Sequence, residues 1–463
     1  MDAIDKTALR LINEGLLKKG DKAVIGLSGG GDSVALFYAL ISACKDTGAF
    51  LTAVHVHHMI RGESADEDLR FVKALCGETG TPLTVKKINV PENAAKEGIS
   101  LELAGRKARR DAFEEALRRG DEKADAKLFL AHHANDREET LLMNLFRGSG
   151  SLGMGGIRER TVITKEDGFS YEIIRPFLLF THEELLEALV ARGHIWREDE
   201  TNSEDKYTRN AIRLKILPQI KQLYPSFTKV AGRYADLMGE VSDYLSGEAL
   251  KFLENNAARS GGEIRINAEA LSDAHPALAK EAIRLAIKET GGLTDVSLAQ
   301  VEDVLELTCA QSGKKVCIAK GREVRRSFDD IVFGKDSGEK AVKLKYEFTD
   351  LPAGEVLEKI KKDDNYSFAK WFDYDKIIMH GSGELLVRTP LEGDHLMIDR
   401  AGHKKKLSVY LKQQKIDEKK RKTIPVFAAG SLILAVAGYR DSCGFEVDEG
   451  SKRIIRLYTE EEQ

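Results

Sequence analysis

Short apolar runs alternate with longer amphipathic stretches over the first third of the chain. The strand-like runs lie at residues 23–27, 50–56, 83–88 and 128–131, and helix-like stretches follow them at 32–45, 63–79, 100–119 and 135–147. A strand followed by a helix, repeated several times, predicts an α/β fold: a Rossmann-like parallel sheet with helices on both faces. Ligands of such sheets bind at the carboxyl ends of the strands.

The pattern changes in the rest of the chain. Helical periodicity dominates from about residue 204 to 310, and short strand-like runs beside Gly and Asp turns follow, among them YEFTDL, GELLVRTPL and RIIRLYT. We therefore predict three domains: an α/β domain over 1–215, a mainly helical domain over 216–340 and a small β-rich α+β domain over 341–463.

Neither end of the chain has the pattern of a membrane segment. The first twenty residues, MDAIDKTALRLINEGLLKKG, predict an amphipathic helix, because a signal peptide needs a basic start and an unbroken apolar stretch. The longest apolar run, Val426 to Tyr439, is interrupted by Gly430 and Gly438 and is too short to span a bilayer.

Composition and charge fit an ordinary globular protein. Of 463 residues, 42% are hydrophobic and 32% charged, and the net charge of -4 argues against a uniformly basic nucleic-acid binder while leaving room for local basic patches. The cysteines at 44, 76, 309, 317 and 443 form no CxxC pair, which argues against a zinc site or a thioredoxin-like motif. Reduced thiols and a cytoplasmic location are expected.

A glycine-rich stretch, SGGGDS, follows the first predicted strand and begins a predicted helix. A Walker loop would need a Lys after the glycines, and a dinucleotide-binding GxGxxG motif would need Gly where Val34 stands. A tight turn with a capping side chain remains open. Backbone N–H groups at a helix N-terminus suit a phosphate, and Asp32 would repel that phosphate unless a divalent cation lay between them. The stretch therefore predicts a site for a phosphate chain that carries Mg²⁺, built from Ser28, Gly29, Gly30, Gly31, Asp32 and Ser33.

This SGGxDS pattern resembles the PP-loop of the ATP pyrophosphatases. The resemblance implies that the loop grips the β,γ-pyrophosphate of ATP and that the α-phosphorus is attacked. AMP is then transferred to a carbonyl-type oxygen, and nitrogen or sulfur displaces it.

Further stretches narrow the resemblance to the bacterial tRNA(Ile)-lysidine synthetases over about residues 20 to 220. They are VHVHHMIRGESADED (54–68), AHHANDREET (131–140), LFRGSGSLGMGGI (145–157), IRPFL (174–178) and REDETNSEDKYTRNAIRLKILP (197–218). The departures are Arg137 where Gln is usual, Thr201 where Ser is usual, and HHMIRG in place of an HHGLR-like string.

The resemblance implies a ligase reaction on tRNA. ATP with Mg²⁺ adenylates carbon-2 of the wobble cytidine in the CAU anticodon of tRNA(Ile), and the ε-amine of L-lysine displaces AMP. The product, lysidine, changes the codon read from AUG to AUA. The resemblance also suggests a homodimer.

Two carboxylates near the start of the helix after the fourth strand are candidate site residues. Asp136 and Glu139 are three positions apart, so their side chains share one face of the helix. A solvated acidic first turn, favoured by the helix dipole, has the same pattern. Their position directly after a strand end favours a site for the ammonium groups of the lysine substrate.

Histidines and arginines complete the predicted site. We expect His133 to hydrogen-bond a phosphate or the base oxygen, and His57 has a weaker claim to the ATP site. Arg110 shares a helix face with Arg106, where an ordinary charged surface and neutralisation of the α-phosphate remain equally open. The resemblance implies that Arg209, in the TRN string, is a substrate-site arginine.

Two basic segments are candidate tRNA contacts. Residues 313–326 carry six Lys or Arg and one acid, and residues 404–422 carry nine Lys or Arg and two acids. A run of charges is usually a solvated face, but such concentration in a net-negative chain favours contacts with a phosphate backbone. The candidates are Lys314, Lys315, Arg322, Arg325, Lys404, Lys405, Lys406 and Lys412.

Two alternative functions stay open. A PP-loop tRNA sulfurtransferase would need reactive cysteines near the loop, whereas Cys44 and Cys76 fall within predicted helices, where buried structural thiols are expected. A non-catalytic tRNA-binding protein with a relic nucleotide site would not need the intact SGGGDS loop together with Asp136 and Glu139.

Overall fold

The computed structural model describes residues 1–60, 62–119, 125–198, 208–334, 343–362, 369–380, 384–416 and 418–460. The chain divides into two compact units, Met1–Tyr244 and Leu245–Gln463. The boundaries of the three predicted domains remain a prediction.

A six-stranded sheet of order β3-β2-β1-β4-β6-β5 forms the centre of the first unit. Its strands are β1 (Lys22–Gly26), β2 (Phe50–His57), β3 (Leu83–Lys87), β4 (Ala126–Phe129), β5 (Arg160–Thr164) and β6 (Ser170–Ile174). Neighbouring strands are parallel except for β5, which pairs antiparallel with β6. The predicted α/β sheet is therefore confirmed, and the β5–β6 hairpin extends it.

Helices cover both faces of this sheet. They are α1 (Ala3–Asn13), α2 (Gly31–Thr47), α3 (Glu63–Thr79), α4 (Val90–Glu97), α5 (Leu101–Arg118), α6 (Ala134–Phe146), α7 (Ser151–Met154) and α8 (His182–Ala191). Ile25 of β1 packs in a core cluster with Phe37 of α2 and Leu189 of α8. The adjacent Val24 packs with Phe113 of α5 in a second cluster. Successive residues of a strand point to opposite faces, so the uninterrupted apolar run of β1 serves both layers.

A helical segment follows the first sheet. It comprises α9 (Thr208–Ala211), a π-helical turn (Ile212–Ile216), α10 (Leu217–Leu223) and the long α11 (Phe227–Asn256). The start of α11 packs closely on the first unit, since a Cβ built on Gly155 would lie 3.1 Å from Cα of Gly239. This close approach carries the packing of the first unit well beyond residue 215.

The second unit begins with a helical region that also contains a sheet. Its helices are α12 (Ala268–Asp273), α13 (Pro276–Glu289) and α14 (Leu298–Glu306), with 3₁₀ turns at Leu307–Cys309 and Ala319–Gly321. The strands β7 (Ala257–Ser260), β8 (Glu263–Asn267), β9 (Lys315–Ile318), β10 (Arg322–Ser327) and β11 (Asp330–Gly334) form an antiparallel sheet of order β7-β8-β11-β10-β9. The helices agree with the prediction. The pattern did not reveal the sheet, because its strands are short and carry several charged residues.

The C-terminal part is rich in β-structure, as predicted. It contains β12 (Lys343–Thr349), β13 (Ala369–Asp373), β14 (Leu385–Arg388), β15 (His395–Met397), β16 (Lys404–Lys406), β17 (Val426–Ala429), β18 (Leu432–Val436) and β19 (Ile454–Glu460), with α15 (Ala353–Lys362), α16 (Tyr374–His380), α17 (Leu407–Gln413) and α18 (Glu418–Thr423). The sheets have the orders β12-β19-β13 and β14-β17-β18-β15-β16. The longest apolar run becomes the buried β17–β18 hairpin. Among the described residues, no helix has the length and apolar character needed to cross a bilayer.

Candidate active site

The glycine loop connects β1 to α2, and its glycines have structural reasons. Gly29 has a φ of +100°, which L side chains rarely adopt, and a Cβ on Gly31 would lie only 2.4 Å from Cδ2 of Leu186. The hydroxyl of Ser33 donates to the carbonyl of Gly30 at 2.8 Å and accepts the N–H of Gly29 at 3.2 Å. The hydroxyl of Ser28 lies 3.0 Å from that of Ser33. The loop is thus fixed in shape at a helix N-terminus, which is a favourable position for an anion.

Asp32, in the first turn of α2, is held between two histidines. Its Oδ1 lies 2.8 Å from Nδ1 of His182, and its Oδ2 lies 3.6 Å from Nε2 of His133. Burial raises the pKa of Asp32, but the two imidazoles outweigh this effect and hold the pKa well below its usual value. Burial lowers the pKa of His133, yet Asp32 and Asp136 raise it overall, and the hydrogen bond to Asp32 raises the pKa of His182. The arrangement is an ionised carboxylate flanked by two imidazoles that favour the protonated form.

Each of these three side chains lies at the start of a different helix. Asp32 is in the first turn of α2, His133 is the N-cap of α6, and His182 is the first residue of α8. His182 was missed by the sequence analysis. The signal that could have found it is the capping box of Thr181 and Glu184, which marks a helix start just after the IRPFL stretch.

The structure brings Asp136, Glu139 and Arg209 together. Asp136 accepts the backbone N–H of His133 at 3.0 Å and Nη2 of Arg209 at 2.8 Å. Glu139, whose side chain is fully buried, accepts Nε of Arg209 at 2.6 Å and Nη2 of Arg213 at 3.2 Å, and its other oxygen accepts Nε of Arg213. The candidate lysine-binding carboxylates therefore already hold two guanidinium groups. Arg213 was missed, although its position four residues after Arg209 is the helical signal for a shared face.

The two residues between these carboxylates reach different helices. The guanidinium of Arg137 pairs with the carboxylate of Asp236 and donates to the carbonyl of Gly232 at 3.0 Å, both on α11. Glu138 is fully buried and accepts Nζ of Lys221 at 2.6 Å and the hydroxyl of Thr228 at 2.8 Å. Four successive charged residues thus attach α6 to the segments that follow residue 208.

Two other predicted residues lie apart from this cluster in the described contacts. His57 is buried at the end of β2, with Nε2 at 3.3 Å from Oδ1 of Asp66. Arg110 is exposed on α5, where its recorded ion pair is with Asp111 at 3.7 Å. Residues 199–207 of the quoted REDETN stretch, with Thr201, lie outside the described residues, as does Arg61.

The first basic segment divides into inward and outward side chains. Arg325 is 11% exposed and pairs with the buried Glu263 at 2.6 Å. Arg322 donates to the carbonyls of Ala319 and Ile287 at 3.2 and 3.3 Å. Lys314 is exposed, and Lys315, also exposed, pairs with Glu323 at 2.9 Å. The two lysines are therefore better placed than the two arginines to meet a phosphate backbone.

The second basic segment forms a sheet edge and a helix. Lys404, Lys405 and Lys406 make up β16, which pairs with β15 at the end of the sheet formed by the described strands, and Lys404 and Lys406 are exposed. Lys412 is an exposed residue in the last turn of α17, whose opposite face buries Leu407 and Leu411. These four lysines lie at the surface of the second unit.

The cysteines near the glycine loop are buried. Cys44 lies on α2 and Cys76 on α3, and burial raises their pKa to about 12 and about 11. Cys309, Cys317 and Cys443 belong to the second unit. Because the thiolate is the reactive form, the two thiols of the first unit are unreactive.

Comparison with known proteins identifies the class first. Residues 2–220 match the model of the PP-loop domain, and these residues contain the glycine loop and the clustered side chains. Residues 267–331 match the TilS substrate binding domain, and residues 385–458 match the TilS substrate C-terminal domain. The fold and the site thus define a PP-loop protein with two further substrate-associated domains.

The relatives identify the family. The chain is 32% identical to a tRNA(Ile)-lysidine synthase of Caldanaerobacter subterraneus subsp. tengcongensis, covering 99% of this chain and 98% of that protein. It is 31% identical to a tRNA(Ile)-lysidine synthase of Clostridioides difficile, covering 98% of each. The chain belongs to the tRNA(Ile)-lysidine synthase family, which confirms the resemblance seen in its motifs.

Proposed function

We propose that this protein adenylates carbon-2 of the wobble cytidine in the CAU anticodon of tRNA(Ile) and joins L-lysine to it through the ε-amine. AMP and pyrophosphate are released, and the product reads AUA instead of AUG. Beyond family membership, the observation that carries the proposal is the convergence of Asp32, His133 and His182 beside the glycine loop, with Asp136 and Glu139 one helical turn away. We expect the reaction to take place in the cytoplasm.

The residues around Asp32 fit Mg²⁺ bound together with ATP. Mg²⁺ prefers oxygen ligands and is usually held by one or two carboxylates and the substrate phosphates. Asp32 supplies an ionised carboxylate, whereas His133 and His182 supply N–H donors that suit phosphate oxygens. Bound Mg²⁺ would neutralise negative charge on the phosphates. Ser28 to Ser33 would hold the pyrophosphate at the start of α2.

The carboxylates of α6 are suited to the lysine substrate through an exchange of partners. Asp136 and Glu139 bind guanidinium groups in the structure, and a lysine ammonium carries the same charge. When lysine binds, Arg209 and Arg213 become available to the phosphates, where negative charge develops as pyrophosphate leaves. We assign Arg209 to this role, and Arg110 remains a second candidate for the α-phosphate.

Exposed or partly exposed lysines of the second unit are the proposed contacts with the tRNA backbone. Lys314, Lys315, Lys404, Lys405, Lys406 and Lys412 remain in this assignment. Arg322 and Arg325 contribute to it less, because both are engaged in contacts within the protein. The target base must leave its stack to reach the ATP site, which is easier in a loop than in a duplex.

A homodimer is part of the proposal. Val230, Tyr234 and Leu237 of α11 are 44%, 42% and 55% exposed and recur at helical spacing, as expected of a surface that another chain covers. Sedimentation equilibrium of the full chain tests this, with Leu237→Lys as the variant expected to be monomeric. A wild-type monomer at micromolar concentration would remove the dimer from the proposal.

The decisive experiment is incorporation of labelled lysine into an unmodified tRNA(Ile) transcript with a CAU anticodon, in the presence of ATP and Mg²⁺. Pyrophosphate release should require tRNA, and continued turnover should also require lysine. A transcript with a different anticodon serves as the control. Failure of incorporation contradicts the proposal, and failure of pyrophosphate release favours a non-catalytic tRNA-binding protein.

A further inference from the structure

His182 lies at the edge of the glycine loop, and its imidazole contacts Asp32 but is also partly exposed to solvent. Nδ1 contacts Asp32 at 2.8 Å, and the side chain is 42% exposed. The ring of His133 lies beside it, with centroids 5.5 Å apart. The imidazole of His182 can therefore reach both Asp32 and a ligand in the space in front of the loop.

The helix that carries His182 does not need this imidazole. Thr181 and Glu184 cap α8, and the backbone N–H of His182 donates to Oδ1 of Asn135 at 2.9 Å. Leu185 and Leu189, one and two turns further along the same side of the helix, are buried in the core and hold α8 in place. The cap and the packing of α8 thus do not depend on the imidazole of His182, whose contact is with Asp32.

The electrostatic surroundings favour an anion. The N-termini of α2, α6 and α8 meet here, and each carries the positive end of a helix dipole. His133 and His182 add positive charge when protonated. In the structure the carboxylate of Asp32 is the anion that these groups surround. A polyphosphate accompanied by a cation satisfies both the donors and Asp32.

We propose that His182 is a catalytic residue of the ATP site: it binds a phosphate oxygen of ATP and, in doing so, releases Asp32 to the accompanying divalent cation. This inference rests on the proposed function, because it takes ATP as the ligand of the glycine loop. Before ATP binds, His182 holds Asp32 in place through the contact between Nδ1 and its carboxylate. When MgATP binds, the imidazole of His182 contacts a phosphate oxygen in place of the carboxylate, and the carboxylate of Asp32 contacts the cation. Each of the two side chains therefore has a partner before and after the exchange.

The test is MgATP binding to the full chain without tRNA, measured by isothermal titration calorimetry. We expect His182→Gln to weaken binding about tenfold or more, as for loss of a charge-assisted hydrogen bond. His182→Arg keeps a charged nitrogen donor at this position, so it should retain much of the affinity. The matched control is His194→Gln, because the ring of His194 stacks on Tyr38 at 3.6 Å and contacts none of the site residues above.

The outcomes distinguish an error in the proposed function from an error in the role of His182. If the wild-type chain does not bind MgATP, the proposed function is wrong. If the wild type binds and folded His182→Gln binds equally well, only the role of His182 is wrong. Should His182→Gln fail to fold, His182→Arg decides, since a folded His182→Arg chain that has lost its MgATP affinity contradicts the role of a phosphate-binding donor at this position.

Discussion

Two short runs of consecutive charged residues in this chain differ in their burial. The run Asp136–Glu139 follows a strand end, and Arg137, Glu138 and Glu139 in it are buried and ion-paired with later segments. The run Lys404–Lys406 forms an edge strand, and two of its three side chains are exposed. Charge at the carboxyl edge of a parallel sheet meets other elements, whereas charge on a sheet edge meets solvent or a partner. The position in the topology, rather than the composition, decides what a charged run does.

Glu138 and Glu139 offer the largest test of this comparison, because they are adjacent and equally buried. Glu139→Gln removes the carboxylate that binds Arg209 and Arg213 and, by our proposal, lysine. We expect lysine incorporation to fall about 100-fold or more, since a preorganised charge at the site is lost. Steady-state kinetics with varied lysine measure the effect, which should include a raised KM for lysine.

Glu138→Gln is the matched control. It breaks the pair with Lys221 and the hydrogen bond from Thr228. It should therefore destabilise the fold about as much as Glu139→Gln does, by about 2–4 kcal/mol. The KM for lysine should stay within about twofold of wild type, because Glu138 faces away from the arginines. Equal effects of the two substitutions on that KM would mean that the whole run is structural.

Substitutions in the ion pair of Arg137 and Asp236 should have smaller effects, and the loss of stability should depend on which partner is replaced. Arg137 is 5% exposed and Asp236 is 61% exposed. Asp236→Asn leaves a buried guanidinium without its carboxylate and should lower the free energy of unfolding by about 2–3 kcal/mol. Arg137→Gln leaves an exposed carboxylate and removes the hydrogen bond to the carbonyl of Gly232, so it should cost about 1 kcal/mol. Urea unfolding of both single variants and the double variant measures this.

The double variant tests whether the two side chains of this ion pair act together. With Gln at 137, the change Asp236→Asn should add almost nothing, because the buried charge has gone. Additive losses would show that the two side chains act independently. Tolerance of Gln would also agree with the resemblance noted above, in which Gln is usual at this position.

The edge strand is tested by removing its charge. Changing Lys404, Lys405 and Lys406 to Gln should weaken tRNA binding about tenfold near physiological salt and reduce the slope of log affinity against log salt by up to about two. MgATP binding should be unaffected. The matched control changes three exposed lysines of the first unit, Lys6, Lys45 and Lys73. An unchanged slope would remove β16 from the tRNA surface.

The sequence predicted the elements of the site better than the contacts between them. The glycine loop, Asp32, Asp136 and Glu139 were found because short-range spacing on a strand end or a helix face is visible in one sequence. His182 contacts a residue 150 positions away, and Arg213 contacts one 74 positions away, so the local signals at these two positions do not reveal which residue each contacts. The inward orientation of Arg322 and Arg325 was equally hidden, since it depends on how β9–β11 pair.

The smallest effect expected is that of the cysteines. Replacing all five cysteines, with Ala at the buried 44 and 76 and Ser elsewhere, should leave lysine incorporation within about twofold once the loss of stability from core packing is taken into account. The reason is that burial raises the pKa of both thiols of the first unit, to about 12 and about 11, so neither forms the thiolate that sulfur transfer requires. A folded variant that loses all activity would favour a sulfurtransferase. Restoring Cys309, Cys317 and Cys443 alone would then locate the reactive thiol in one unit or the other.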